Sequence, residues 1–300
     1  MRLGNGNKDI ELLVDGEKAF SRIIERIRNA TESIYINMFI WRDDRIGNLI
    51  LQEIIDAADR GVEICVVKDK LGEVFEKSEE NKQSLFHKEL NFGLWLKAVA
   101  IDIMYPMSGK SKSRKQRANS LLQKLFNYRN VNVSNETILE DHSKYYTFDN
   151  KILIMGGMNI EDKTIYTDVE GKKYNDYMVE MVSSDYVEKF IQRLNIGTSF
   201  NVNSPVEFIF NARRNNEIIY DAKSKILQIL SSAKESIDII MAYMGDKEIT
   251  EKIIEIANRD EDFSEVLEQS IRRNINDATR ISDGSSIKFN HIRAILEQIV

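Results

Sequence analysis

Two stretches of the chain have the same succession of apolar patterns. In each, apolar residues first follow the spacing of a helix, then that of a strand, and then that of a helix again. In the first, an amphipathic helix leads through Arg28–Ile34 into an apolar strand, and in the second Ser231–Ile237 takes the same place. A further helix with one apolar face follows in each copy, at Ile46–Arg60 and at Glu248–Arg259. Such spacing is typical of helices packed on a sheet. We therefore predict an internal repeat of helix, strand and helix.

The first copy continues into an element that sets the fold class. Gly61 is expected to end the helix, and the apolar run Val62–Val67 is predicted to be a strand. A strand, helix, strand order implies a parallel crossover. After Arg259 the second copy shows no such strand. We predict an α/β protein of two related α/β/α lobes, residues 1–200 and 201–300, each a mixed sheet flanked by helices, with the second lobe incomplete or divergent.

Composition and charge narrow the function classes. The 300 residues are 42% hydrophobic and 30% charged, which is ordinary for a soluble globular protein. The net charge of −6 argues against bulk binding of nucleic acid. The single cysteine, Cys65, cannot form an internal disulfide. Since His87, His142 and His291 lack the spacing of metal ligands, we predict no metal and no other cofactor.

The chain also lacks the sequence features of a membrane-spanning or secreted protein. No apolar signal core follows Met1, and no apolar run of about 18 residues occurs. We therefore expect a cytoplasmic protein, either free or peripheral on the inner face of the membrane.

One segment combines the residue types that phosphoryl chemistry needs. His142 and Lys144 are two residues apart, so a strand would put both on one face. Asp149–Asn150 is predicted to be a two-residue hairpin turn between two apolar runs. That turn would pair Phe148 with Lys151.

The returning strand would then carry the remaining groups towards the histidine. The predicted pairing brings Gly157 beside His142, and Asn159 follows just after the strand. Because Gly156 and Gly157 have no Cβ, a bulky anion can approach their backbone closely. An imidazole, an ammonium and an amide around such a site favour phosphoryl transfer.

The spacing His-x-Lys-x4-Asp-x6-Gly-Gly-x-Asn resembles the signature of the phospholipase D superfamily at every position. The resemblance implies cleavage and re-formation of phosphodiesters through a phosphohistidine, with no metal. It implies that His142 is the nucleophile or the acid, that Lys144 and Asn159 hold the phosphate oxygens beside the glycines, and that Asp149 has a supporting role. Each residue taken singly also has a structural explanation, such as a solvated lysine or a turn.

Asp176 is a further candidate on the same grounds. The run Tyr174–Glu180 resembles the family strand whose acidic residue orients the nucleophilic histidine. A carboxylate that accepts the second ring N–H fixes the tautomer and stabilises the imidazolium. The alternative is an acidic side chain that faces solvent at a strand edge.

The superfamily reaction needs two histidines on opposite sides of the phosphorus, one to attack and one to protonate the leaving oxygen. The repeat offset would place a second motif past Val300. His291 is the candidate within the chain, but the lysine position holds Arg293 and the aspartate position holds Gln298. The sequence is therefore consistent with a homodimer that supplies a second His142, with a truncated or divergent second half, which we favour, or with an inactive remnant.

An insertion of roughly residues 73–136 separates the crossover from the histidine hairpin. Its first part is apolar and aromatic, and a run of basic residues follows: Lys110, Lys112, Arg114, Lys115 and Arg117. A cationic face beside an apolar one favours contact with anionic phospholipid at a membrane surface. The alternatives are a packed helix with a solvated basic loop, and nucleic-acid phosphate, which the net charge disfavours.

The resemblance is to the cardiolipin synthase branch in particular, through Glu11–Gly16 and Asn37–Asp44. It implies a phosphatidyltransferase or phospholipase D-type enzyme that acts on phospholipid phosphodiesters. Transfer and hydrolysis differ in whether an alcohol or water resolves the intermediate, and the sequence leaves this open. The alternatives are a phosphodiesterase acting on nucleic acid and a non-catalytic, lipid-binding remnant.

Overall fold

The computed structural model divides the chain into two compact units, Met1–Lys189 and Phe190–Val300. It describes residues 9–78, 84–86, 93, 96, 118–139, 141–166, 175–196, 206–214, 217–234, 237, 239 and 246–257. The first unit is a mixed α/β structure whose sheet has the strand order β1-β7-β6-β5-β2-β3-β4. These strands are β1 (Ile10–Val14), β2 (Ser33–Met38), β3 (Glu63–Lys68), β4 (Val131–Ser134), β5 (Lys144–Phe148), β6 (Ile152–Gly156) and β7 (Tyr177–Val182). The α-helices that begin in this unit are α1 (Asp15–Asn29), α2 (Arg45–Asp59), α3 (Lys70–Ser78), α4 (Ser120–Leu125) and α5 (Ser184–Ile196), as far as the described residues go, and Asp162–Thr164 forms a short 3-10 helix.

The predicted parallel crossover is confirmed as β2, α2 and β3. Asp44 caps α2 by accepting the N–H of Gly47 at 3.0 Å, which satisfies one of the free donors at a helix start. After the helix, Gly61 adopts a φ of +87°, a conformation that glycine reaches without a Cβ clash. β3 then runs parallel to β2, with Ile34 paired to Ile64.

The core of this unit lies between the sheet and the apolar faces of α1 and α2. Phe20, Ile23 and Ile27 of α1 are at most 1% exposed, as are Ile34 and Ile36 of β2. Burying one such side chain contributes about 1.5–3 kcal/mol. The helical period of α1 and the two-residue period of β2 therefore determine which faces meet.

The β5–β6 hairpin has the predicted turn but a different register. Asp149 and Asn150 have φ values of +50° and +52°, as a primed hairpin turn requires. Phe148, however, pairs with Ile152, so the predicted partner Lys151 is wrong by one residue. The packing agrees with the shift. Side-chain direction alternates along a strand, and the observed register puts Tyr146 opposite Ile154, which belongs to the same core cluster.

This register also changes where the histidine lies. Lys144 pairs with Gly156 and is the first residue of β5, so His142 precedes the strand. The predicted neighbour of His142, Gly157, instead donates its N–H to the carbonyl of Tyr177 at 3.1 Å. The loop before β5, rather than strand periodicity, therefore positions the imidazole.

The end of the predicted insertion belongs to the sheet. β4 pairs in parallel with β3, with Val66 opposite Val133, and forms one edge. Leu125 of α4 is buried in the core. The basic run predicted to contact membrane, 110–117, lies outside the described residues.

The second unit contains an antiparallel pair of short strands, β8 (Asn211–Arg214) and β9 (Glu217–Tyr220). Two helices follow, α6 (Asp221–Ser232) and α7 (Lys247–Ala257), where the second copy of the repeat predicts helices. Most of the segment between them, which would hold the repeated strand, lies outside the described residues, as does His291. Among the helices that the structure describes, none is both long enough and apolar enough to cross a membrane.

Candidate active site

His142 and Lys144 are in direct contact at the start of β5. The Nζ atom of Lys144 lies 2.9 Å from Nδ1 of His142 and also donates to the carbonyl oxygen of His142. The ring of Phe39 packs on the imidazole with the two centroids 4.4 Å apart. Lys144 is 3% exposed, whereas His142 is exposed. A buried cation is therefore in contact with one side of an exposed histidine.

The contact between the two side chains determines the tautomer of the histidine. An ammonium can only donate hydrogen bonds, so Nδ1 of His142 must accept from Lys144. The proton of the neutral ring is then on Nε2. In this arrangement the lone pair of Nδ1 accepts a hydrogen bond from Lys144, and Nε2 carries the ring proton. Neither ring nitrogen therefore has a free lone pair.

The surroundings lower the pKa of both groups. Burial and, next, the charge of Lys144 lower the pKa of His142, against the opposite effect of Asp141 and Asp69. Burial lowers the pKa of Lys144 to about 8, although nearby carboxylates, Asp176 first among them, act to raise it. At neutral pH the imidazole is therefore mostly uncharged and the lysine mostly charged.

Asn159 lies where the chain leaves β6 and crosses to the end of β2. Its Oδ1 accepts the N–H of Ile40 at 3.1 Å, and the N–H of Ile160 donates to the carbonyl of Ile40. Because this bond identifies Oδ1 as the acceptor, the NH2 group forms the opposite end of the amide. That group is the donor with which Asn159 would hold a phosphate oxygen.

The backbone before and at the start of β7 requires glycine at position 156, and the side chain of Asp176 would have to move for a larger residue at position 157. A Cβ at Gly156 would lie 2.2 Å from the carbonyl oxygen of Tyr177, and one at Gly157 would lie 2.3 Å from Oδ1 of Asp176. Both distances are far below van der Waals contact. This packing is a second reason for glycine here, beside the predicted approach of an anion, and the predicted contact with phosphate stays a prediction.

The carboxylate of Asp176 lies close to Gly157, and its charge acts on Lys144. Its Oδ1 accepts the N–H of Tyr177 at 2.7 Å. Burial raises the pKa of the carboxyl group, although this hydrogen bond and then the charge of Lys144 oppose the effect. Nδ1 of His142 is in contact with Lys144. The predicted role of Asp176 in orienting the histidine therefore stays a prediction.

Asp149 is at the other end of β5, away from the imidazole. Its carboxylate accepts the N–H groups of Thr31, Glu32 and Ser33 at 3.0, 2.8 and 2.9 Å. Partial burial acts to raise its pKa, but these hydrogen bonds outweigh it and hold the pKa below the ordinary value. Asp149 thus anchors the hairpin turn to the segment that leads into β2.

The comparison with known proteins agrees with this architecture. The family model described as cardiolipin synthase, phospholipase D-like domain, matches residues 23–195 of the chain. The chain belongs to this family. The cardiolipin synthase of Clostridium perfringens (strain 13 / Type A) is 28% identical over 160 residues, which are 53% of this chain and 27% of that protein.

Two further similarities are shorter or more distant. The cardiolipin synthase of Staphylococcus aureus (strain Mu50 / ATCC 700699) is 35% identical over 66 residues, which are 22% of this chain and 13% of that protein. NucT from Helicobacter pylori is a structural neighbour with a TM-score of 0.38 and 14% identity, covering 62% of this chain and 93% of that one. The chain thus matches only 27% or less of the length of these curated cardiolipin synthases.

Sequence reasoning missed the residues that surround the histidine segment of this phospholipase D-like domain. Asn37 of β2 donates to Asp141 at 3.0 Å, and Asp69, directly after β3, accepts the N–H of Asp141 at 2.7 Å. Phe39 contacts the imidazole itself. A polar Asn37 within an apolar run and an acidic Asp69 at the end of another were the available signals.

A buried network of charged residues supports the segment after β2. Lys68 and Glu76 form an ion pair at 3.0 Å, with both side chains at most 1% exposed. Glu76 also accepts the N–H of Trp41 at 2.7 Å, and its carbonyl oxygen accepts from Arg42 at 2.6 Å. These contacts hold the segment that carries Phe39.

Within the described residues, no group of three or more His, Cys, Asp or Glu side chains is arranged to hold a metal ion.

Proposed function

We propose that this domain supplies one half of a phospholipase D-type active site, in which His142 attacks the phosphorus of a phospholipid phosphodiester. A nitrogen–phosphorus bond forms, the bond from phosphorus to the leaving alcohol breaks, and that alkoxide takes a proton. Attack by an alcohol or by water then breaks the nitrogen–phosphorus bond and frees the histidine. The attacking hydroxyl gives its proton to the group that protonated the leaving alkoxide, which restores that group as an acid. The observation that carries this proposal is a mostly uncharged, exposed imidazole held against a buried ammonium group.

Lys144 has two consecutive roles in this mechanism. Before substrate binds, its ammonium holds Nδ1 of His142, and the ring proton is on Nε2. An incoming phosphate anion attracts the ammonium, because a charge-assisted bond to an anionic oxygen is stronger than one to a neutral ring. Once Lys144 moves, the ring proton can exchange with solvent to Nδ1, and Nε2 becomes the nucleophile. Lys144 and the NH2 group of Asn159 then stabilise the charge on the equatorial oxygens.

The leaving oxygen needs an acid on the far side of the phosphorus. We propose that a second histidine provides it, either His142 of a second copy of this chain or a residue of a second phospholipase D-like segment. A two-fold symmetric pair would bring two such half-sites together with one type of contact.

We also propose anionic phospholipid as the substrate class and the inner membrane face as the place of action. The support is the membership of the cardiolipin synthase-like family and the basic run of the sequence at 110–117. The basic run can attract anionic headgroups although the net charge of the whole chain is −6.

The test uses vesicles that contain phosphatidylglycerol. Transfer yields cardiolipin and glycerol, and hydrolysis yields phosphatidic acid and glycerol, so the two reactions are separated by their lipid product. We expect His142→Ala to abolish both products, while Lys151→Met, a change at the turn of the same hairpin, leaves the rate within about twofold. A phosphatidyl adduct on His142 should be detectable by mass spectrometry after an alkaline quench.

Three results would contradict parts of this proposal. An equal rate for His142→Ala and wild type would exclude the assigned nucleophile. Cleavage of plasmid DNA in the presence of chelator, with no lipid product, would move the substrate class to nucleic acid. Vesicle binding without any product from the wild-type protein would indicate a lipid-binding domain without activity.

A further inference from the structure

The buried carboxylate of Asp69 joins the end of β3 to the segment that carries the histidine. Asp69 is 2% exposed and accepts the N–H groups of Leu139 at 3.1 Å and of Asp141 at 2.7 Å. It also accepts the N–H of Leu71 at 2.8 Å, which belongs to its own turn into α3. Two of these three bonds therefore reach across some seventy residues of sequence to the backbone directly before His142.

A second set of contacts extends this connection to both neighbours of the histidine. The carboxylate of Asp141 accepts the N–H of Ser143 at 2.9 Å and its hydroxyl at 2.6 Å. The amide of Asn37 donates to Asp141 at 3.0 Å and to the carbonyl oxygen of Ser143 at 3.1 Å. Residue 141 is thus attached to the carboxyl ends of both β2 and β3, and residue 143 is attached to β2 through Asn37.

His142 therefore stands on a non-regular segment whose backbone is fixed by side chains rather than by a sheet ladder. Phe39 limits the rotation of the ring on one face. The charges act on the same ring, since Asp141 and Asp69 raise the pKa of His142 against burial and Lys144, which lower it. Geometry and charge at the imidazole thus both depend on Asp69.

We propose that Asp69 is a positioning residue, which holds the His142 segment through Asp141 at the angle needed for attack on phosphorus. The expected effect on rate rests on the proposed function. The structural part of the inference, that Asp69 controls the position and ionisation of His142, is independent of that function. A displacement of about 1 Å at a reacting group can cost on the order of 100-fold in rate.

The sharpest variant is Asp69→Asn. The amide keeps the size of the side chain and one acceptor oxygen, but its NH2 group cannot accept a backbone N–H, so one connection to the His142 segment is lost together with the charge. The matched control is Asp59→Asn, which removes an exposed carboxylate that binds Lys124 and Tyr128 at the far end of α2.

Two readouts are measured on the full chain. We expect kcat on phosphatidylglycerol vesicles to fall by about 10- to 100-fold with KM within about twofold, since the contact affects orientation more than binding. Independently of turnover, an NMR titration of the His142 ring should show a lower pKa in Asp69→Asn than in wild type. The control should change neither quantity.

The outcomes separate this inference from the proposed function. If wild type makes no product but Asp69→Asn still lowers the pKa of His142 and shifts its ring signals, the proposed activity fails and the positioning role stands. If Asp69→Asn is folded and matches Asp59→Asn in kcat and in the pKa of His142, the role is overturned. Should Asp69→Asn not fold, Asp141→Asn breaks the next link of the same connection, and the same two readouts decide.

Discussion

Replacing Lys144 by methionine should raise the pKa of the His142 imidazole. The ammonium of Lys144 lies 2.9 Å from Nδ1 of His142 and disfavours a second positive charge on the ring. Methionine is similar in length and carries no charge, so the variant removes the repulsion and keeps most of the packing. The pKa of Lys144 is about 8, so the repulsion is present through most of the range in which a histidine titrates.

The size of the change follows from the geometry. Because the imidazole is exposed, we use the dielectric constant of water, and two unit charges at this distance then repel by about 1.4 kcal/mol. One pKa unit corresponds to about 1.36 kcal/mol, so we expect an increase of about one unit. Any protein shielding from solvent would make the increase larger.

The assay is an NMR titration of the His142 ring from acid to mildly alkaline pH, with the signal assigned by its loss in His142→Ala. Lys151→Met is the control, since Lys151 lies past the far end of β5 and pairs with Glu32 at 3.5 Å. Nitrogen shifts should also show Nε2 protonated in the neutral ring of wild type, and a larger share of Nδ1–H in Lys144→Met. An unchanged or lower pKa in Lys144→Met would refute the assigned contact, as would Nδ1–H as the main tautomer in wild type.

Two further changes test how the fold around the site is stabilised. Asp149→Ala removes the acceptor of the Thr31, Glu32 and Ser33 N–H groups and puts alanine at a φ of +50°, so we expect urea unfolding at pH 7 to show a loss of about 2–3 kcal/mol. Because the pKa of Asp149 is depressed in the folded state, its carboxylate should add to the free energy of unfolding above about pH 4, and this contribution should disappear as the pH falls through the folded pKa. If Asp149→Ala lowered the free energy of unfolding equally at low pH, this expectation would be contradicted. Tyr146→Phe removes a fully buried hydroxyl that has no hydrogen-bond partner among the described residues, so the free energy of unfolding should stay unchanged or rise by up to about 1 kcal/mol. A clear loss in the same urea experiment would mean that this hydroxyl is bonded.

Local sequence determined the elements and the chemical groups of the site. The helical period fixed the apolar faces of α1 and α2, and the crossover into β3 followed from the order of elements. Asp149 and Asn150 are residue types that adopt the left-handed conformation of a hairpin turn, as the structure has it. These are properties of a few neighbouring residues, and a sequence pattern contains them directly.

Tertiary structure decided how those groups are arranged. The register of the β5–β6 hairpin differs by one residue from the predicted one and puts Tyr146 opposite Ile154 in the same core cluster. Asp69 reached the His142 segment because the sheet order puts β5 beside β2, which is itself beside β3. Since β5 runs antiparallel to β2, its start meets the carboxyl ends of these two parallel strands. Hydrogen bonds act over about 3 Å in space, whatever the separation along the chain. The sequence therefore contained the histidine and its partners, but only the folded sheet brought Asp69 to them.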